Sequence, residues 1–115
     1  METHFNIEDQ AGIQVIEVST LITNEYTKDI ILQVEQLIEK GKRHMVIDLH
    51  KLNYINSTGL SFLISTLTRC RNAGGEVAIS NLSESIKKLL LLTRLQSAFS
   101  IHESNKSAVD FLKKN

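Results

Sequence analysis

The sequence has 115 residues, and its 13 Lys plus Arg against 13 Asp plus Glu leave a formal charge of zero. That length fits one domain with a core of its own, and that balance argues against a protein built to hold nucleic acid or an anionic membrane through bulk charge. Hydrophobic residues at 42% and charged residues at 23% are near average for a folded globular domain and argue against a disordered chain.

Cys70 is the one cysteine, so neither an internal disulfide nor a cysteine-based zinc site is expected. The aliphatic run Leu89 to Leu92 is far too short to cross a bilayer, and Met1 to Phe5 has neither the basic nor the apolar part of a signal peptide. A cytosolic protein is the resulting expectation, and the Asn-x-Ser/Thr triplets starting at Asn56, Asn81 and Asn105 are then chance matches. Proline is absent, so Gly, Asn and Ser must supply the turns.

Taken in chain order, Phe5 and Ile7 alternate with polar residues, Glu8 to Gly12 interrupts, and Ile13, Val15, Ile16 and Val18 resume. Two strands joined by a tight hairpin are predicted. A helical stripe of Tyr26, Ile30, Ile31, Val34, Leu37 and Ile38 follows, with Lys40 and Gly41 to end it. Met45 to Leu49 reads as a buried strand, and His50 to Asn56 as an irregular connector. Leu60, Leu63, Ile64, Leu67 and Arg71 mark a second helix closed by Gly74-Gly75, and Glu76 to Ser80 a further strand. Ser83 is the expected N-cap of a third helix with Ile86, Leu89, Leu90 and Leu92. A short strand at Phe99 to Ile101 precedes a last helix, capped by Ser104, with Ala108, Phe111 and Leu112 inward. The order β-β-α-β-α-β-α-β-α implies a single α/β domain over residues 1–115, with four helices and a mixed, mostly parallel sheet.

Sites in open α/β sheets lie beyond the carboxyl ends of strands. The exit of the Met45 strand leads to Asn56-Ser57-Thr58-Gly59-Leu60. One reading of that segment is a capped helix start. The other notes that a hydroxyl among unpaired N–H groups at the positive end of a helix is well placed to carry a phosphate. The remaining signals are weak. The four histidines show no metal spacing and no paired carboxylate within helical reach, and read as surface groups. Cys70 reads as a small buried hydrophobe, and Ser85-Ile86-Lys87-Lys88 as ordinary helix-start chemistry in a chain too short for a Ser-x-x-Lys enzyme. Lys87, Lys88 and Arg94 read as a solvated cationic face or one that meets an acidic partner, and Leu89 to Leu92 with Leu95 as either an interface or a surface under the last helix.

Val46-Ile47-Asp48-Leu49, Asn56-Ser57-Thr58-Gly59-Leu60, Gly75-Glu76-Val77 and Asn81-Leu82, in this element order, resemble the STAS domain, and within it the bacterial anti-sigma factor antagonists. The resemblance runs over essentially the whole chain. It implies a non-enzymatic partner-switching module without a cofactor or a metal. Its partner would be an anti-sigma factor that is also a serine kinase with a histidine-kinase-like ATPase fold, and a serine phosphatase would reset it. Ser57 matches the phosphorylated serine, with Thr58 as the weaker hydroxyl, and Asn56, Ser57, Thr58, Gly59, Ser61 and Phe62 would form the partner face. Phe62, off the buried stripe, is either an exposed aromatic anchor beside the switch or packed under the third helix. Asn56 stands where the family usually has Asp, and Thr20-Leu21-Ile22-Thr23 where it often has Gly-Glu-Leu-Asp, so nucleotide binding is not implied. Family relatives also serve as non-phosphorylated subunits of stress-signalling, lipid-transport or transporter-associated assemblies, which is the alternative reading. An enzyme with Ser57 as nucleophile lacks a general base at any recognisable spacing.

Overall fold

Strand β1 (Phe5–Gln10) turns into β2 (Ile13–Val18) through two residues, Ala11 and Gly12, both with positive φ (56° and 88°). That is the backbone of the tight hairpin turn whose twist matches the flanking strands, and Gly12 supplies the less tolerated angle. Asp9 closes it by accepting the Gly12 N–H at 3.0 Å and the Gln14 amide at 2.6 Å. Glu8 to Gln10, expected to interrupt the strand, belong to it: β1 is an edge strand half open to water, so its pattern is more polar than a buried strand's. The computed structural model describes residues 4–19 and 23–114. Of the segment Thr20-Leu21-Ile22-Thr23, only Thr23 lies within the described residues.

The remaining elements are α1 (Asn24–Glu39), β3 (Met45–Asp48), α2 (Ser57–Asn72), β4 (Val77–Ser80), α3 (Glu84–Leu92), a single 3-10 turn (Leu95–Ser97), β5 (Ser100–His102) and α4 (Asn105–Lys113). The sheet order is β1-β2-β3-β4-β5, antiparallel for the first pair and parallel for the other three. Sequential parallel strands joined by right-handed crossovers place every crossover helix on one face of the sheet. The core follows that rule. Ile16, Val18, Met45, Ile47, Val77 and Ile79 point to the face that carries Ile30, Val34, Phe62, Leu63, Ile86 and Leu90 of α1 to α3. The alternate residues Ile13, Val15, Val46 and Ala78 point to the other face, where Ala108, Val109 and Leu112 of α4 cover them.

Two sequence expectations need correction. The last helix does not lie over Leu89 to Leu92, because it packs on the opposite face, and Leu91 and Leu92 remain in water. Its inward residues are Ala108, Val109 and Leu112, while Phe111 is partly exposed against the His102 ring. Helix α2 ends as expected, with Gly74 left-handed, but the second glycine acts differently: a Cβ on Gly75 would lie 2.0 Å from the Arg43 carbonyl oxygen. Gly75 is therefore a close-approach position where two backbones touch.

Candidate functional site

The β3–α2 connector is pinned by two buried side chains, Leu52 and Ile55, and by the Ser83 hydroxyl donating to the Asn53 carbonyl at 3.1 Å. It delivers Asn56 in an extended conformation (φ −100°, ψ −172°), from which its side-chain oxygen accepts the Gly59 N–H at 3.0 Å. Asn56 is thus the N-cap of α2, a role Asn and Asp perform about equally well. No acidic side chain occupies the first turn of the helix. Ser57 is its first residue and is exposed, Thr58 is half-buried and Ser61 is exposed. The Ser57 hydroxyl has no hydrogen-bond partner among the described residues.

Ser57 stands between two grooves. On the α1 side, a cleft of about 300 Å³ is lined by the hydroxyls of Thr27, Thr58, Ser61 and Ser65. On the α3 side, a groove of about 410 Å³ has largely apolar walls. Phe62 borders the α1-side cleft but is 1% exposed and belongs to the core, so of its two readings the packed one holds and the exposed anchor does not. The cause is that α2 is the middle helix of its layer. Packed on the sheet and flanked by neighbours, it buries a wide arc of Gly59, Phe62, Leu63, Thr66, Leu67 and Cys70, while Ile64, expected inward, is turned to solvent. Cys70 is buried as expected, and desolvation with the nearby Glu76 charge pushes its thiol up to about 12, so it is inert at neutral pH.

A second polar cluster lies at the carboxyl ends of β2, β3 and β4, on the α4 face. Asp48 is 2% exposed. One of its oxygens accepts from the His50 backbone N–H at 3.0 Å and the Asn81 amide at 3.1 Å, and the other from the Asn105 amide at 2.9 Å. The His50 ring nitrogen is also 3.0 Å from Asp48, and the Ser80 hydroxyl donates to the Asn105 side chain. Burial alone would raise the Asp48 carboxyl. The donors from Asn105, His50 and Asn81 outweigh it and hold the group below the usual carboxylate range. Glu17, Asp48 and His50 each offer a ligand atom within 4.8 Å of the others, so the fold gives this histidine carboxylate neighbours that do not lie within helical reach in the sequence. Those carboxylates are already matched within the chain, Asp48 by the donors above and Glu17 by Lys51 at 3.1 Å. The cluster acts as a clamp between the strand ends and the start of α4. Sequence reasoning missed it, although a lone Asp closing an apolar strand, and Asn81 and Asn105 after later strands, were its visible signs. His102 is likewise partly buried, between the hydroxyls of Ser100 at 2.7 Å and Ser107 at 2.8 Å, and desolvation lowers its pKa.

A sequential five-stranded sheet with three helices on one face and one on the other, and a bare hydroxyl opening the second helix, defines a STAS-type α/β domain. The chain belongs to the STAS domain family, whose pattern it matches over residues 4–108. It is similar to the anti-sigma F factor antagonist of Paenibacillus polymyxa, at 20% identity over 110 residues that cover 95% of this chain and 94% of that protein. Its fold is similar to that of the anti-sigma factor antagonist SpoIIAA in its unphosphorylated form, with a TM-score of 0.81 at 15% identity over 96% of this chain and 97% of that one. The Bacillus cell fate determinant SpoIIAA in the phosphorylated form gives a TM-score of 0.74 at 16% identity, over 92% and 96% of the two chains. Among the described residues, no helix is long and apolar enough to cross a membrane.

Proposed function

We propose that this chain is an anti-sigma factor antagonist that works by partner switching, with Ser57 as the phosphorylated residue. Unphosphorylated, it binds an anti-sigma factor that is also its serine kinase, with a histidine-kinase-like ATPase fold. Phosphorylation of Ser57 ends that complex, and a serine phosphatase restores it. The partner face is the start of α2: Asn56, Ser57, Thr58, Gly59 and Ser61, with Phe62 supporting it from below.

The observation that carries this reading is the state of Ser57. It is exposed, it opens a helix whose capping is done by its neighbour Asn56, and its hydroxyl is engaged by no described residue. Esterifying it therefore breaks nothing in the fold. A phosphate there gains the positive end of α2 and adds a charge of about −1.5 to −2 to a surface that a partner must cover. A penalty of about 3 kcal/mol against an acidic partner face would weaken binding more than a hundredfold. Thr58, half-buried, is the less accessible hydroxyl. Asn56 in place of the usual Asp keeps the cap and removes one negative charge beside the acceptor. A catalytic role for Ser57 lacks support, because a serine nucleophile needs a base within hydrogen-bond reach and none contacts it among the described residues.

The test is intact mass after incubation with the cognate kinase and ATP. One added phosphate on the wild type and none on Ser57→Ala is the expected result. Phosphate retained by Ser57→Ala would move the site, and an unmodified wild type would favour the non-phosphorylated assembly subunit.

A further inference from the structure

The groove between α2 and α3 is walled by Leu60, Leu89, Leu92 and Tyr54. Leu92 is 82% exposed, and Leu91 beside it and Tyr54 are each 60% exposed. Helix α3 carries more leucine than the sheet takes up: only Ile86 and Leu90 are fully buried. The groove also has a sign. Lys88 lines it and no carboxylate does. Its neighbour Lys87 is held by Glu84 and Glu103, both at 3.6 Å, whereas Lys88 and Arg94 have no carboxylate partner among the described residues.

We infer that the α2–α3 groove docks an amphipathic helical segment of a partner protein, with apolar side chains entering between Leu60, Leu89 and Leu92 and an Asp or Glu meeting Lys88. A trough between two helices receives side chains spaced i, i+3/i+4, i+7 along a third. Charge complementarity selects the occupant. A second copy of this chain on the same groove would bring Lys88 against Lys88 with no carboxylate between them, because a two-fold contact is self-complementary. A bilayer would meet the protruding Leu91 and Leu92 and leave the recessed walls unfilled.

Ser57 is on the rim of the same groove. Resting on the proposed role of Ser57, a phosphate there would engage Lys88 and repel the incoming carboxylate, so one modification would remove the attraction and add a repulsion.

The experiment uses the full, unphosphorylated chain and no kinase. A displayed library of randomised helical peptides is selected on it, and the enriched peptides are labelled with fluorescein for anisotropy titrations. Enriched sequences should carry apolar residues at i, i+3/i+4, i+7 beside an Asp or Glu. Leu92→Ser and Lys88→Glu, both on the surface, should each weaken binding by about tenfold or more, with circular dichroism unchanged. No enrichment, enrichment of uncharged or basic peptides, or full binding by either variant would overturn the proposal. So would a dimer in sedimentation that Leu92→Ser dissociates, or flotation with phosphatidylcholine–phosphatidylglycerol vesicles that Leu92→Ser abolishes. Ser57→Asp separates the two readings: weaker peptide binding joins the groove to the switch, and unchanged binding overturns that link while the docking site stands and intact mass alone decides phosphorylation at Ser57.

Discussion

Asp48 and Ser57 are both placed by β3, one at its end and one just beyond its exit, yet their surroundings are opposite. Asp48 faces α4, is sealed from water and accepts hydrogen bonds from His50, Asn81 and Asn105. Ser57 faces the other helical layer, is open to solvent and has no described partner. A buried charge must be matched by fixed donors, and those donors then depend on it. An open hydroxyl at a helix start makes no such demand, so it can gain or lose a charged group while the fold stays as it is. The same strand thus anchors a rigid joint on one face of the sheet and leads to an open hydroxyl on the other.

The sharpest way to break the comparison is to truncate both side chains. Asp48→Ala strands several buried donors and should cost about 3 kcal/mol in urea unfolding, whereas Ser57→Ala should change stability by less than about 0.5 kcal/mol. Equal losses would mean that Ser57 is part of the scaffold. The next effect is acid lability. The folded Asp48 carboxyl titrates below its ordinary value of 3.8, so its contribution is complete above that value and is lost as pH falls through the lower folded pKa. Thermal unfolding measured from neutral pH downward should show a steeper fall below pH ~4 in the wild type than in Asp48→Asn. Asp9 is shifted the same way by the Gly12 N–H and Gln14, and it is present in both proteins, so their difference isolates Asp48. The smallest effect concerns the cap. Asn56→Ala should cost about 1 kcal/mol, and Asn56→Asp only a few tenths, because either side chain can accept the Gly59 N–H. A full loss in Asn56→Asp would show that the amide nitrogen also matters.

The sequence made some of this legible and hid the rest for identifiable reasons. The apolar run Met45 to Leu49, the stripe Tyr26 to Ile38 and the caps Ser83 and Ser104 are local signals, and each appears where expected. Ser57 at the start of α2 followed from the same local reading. Phe62 did not, because a single helical stripe assumes one buried side and α2 has neighbours on both flanks. The face taken by α4 was equally hidden, so Leu91 and Leu92 could be assigned cover that they lack. The clamp at Asp48 joins residues 57 positions apart, and no periodicity in the chain encodes such a pairing. The turn at Leu95–Ser97 was likewise not anticipated.

Among the described residues, helix α4 is the one helix packed on the second sheet face, and it follows β5 in chain order. Without it, Ile13, Val15, Val46 and Ala78 would lie bare and Asp48 would lose the Asn105 amide. One short helix thus both closes a hydrophobic face and satisfies a buried carboxylate, and its loss would expose the chain to aggregation.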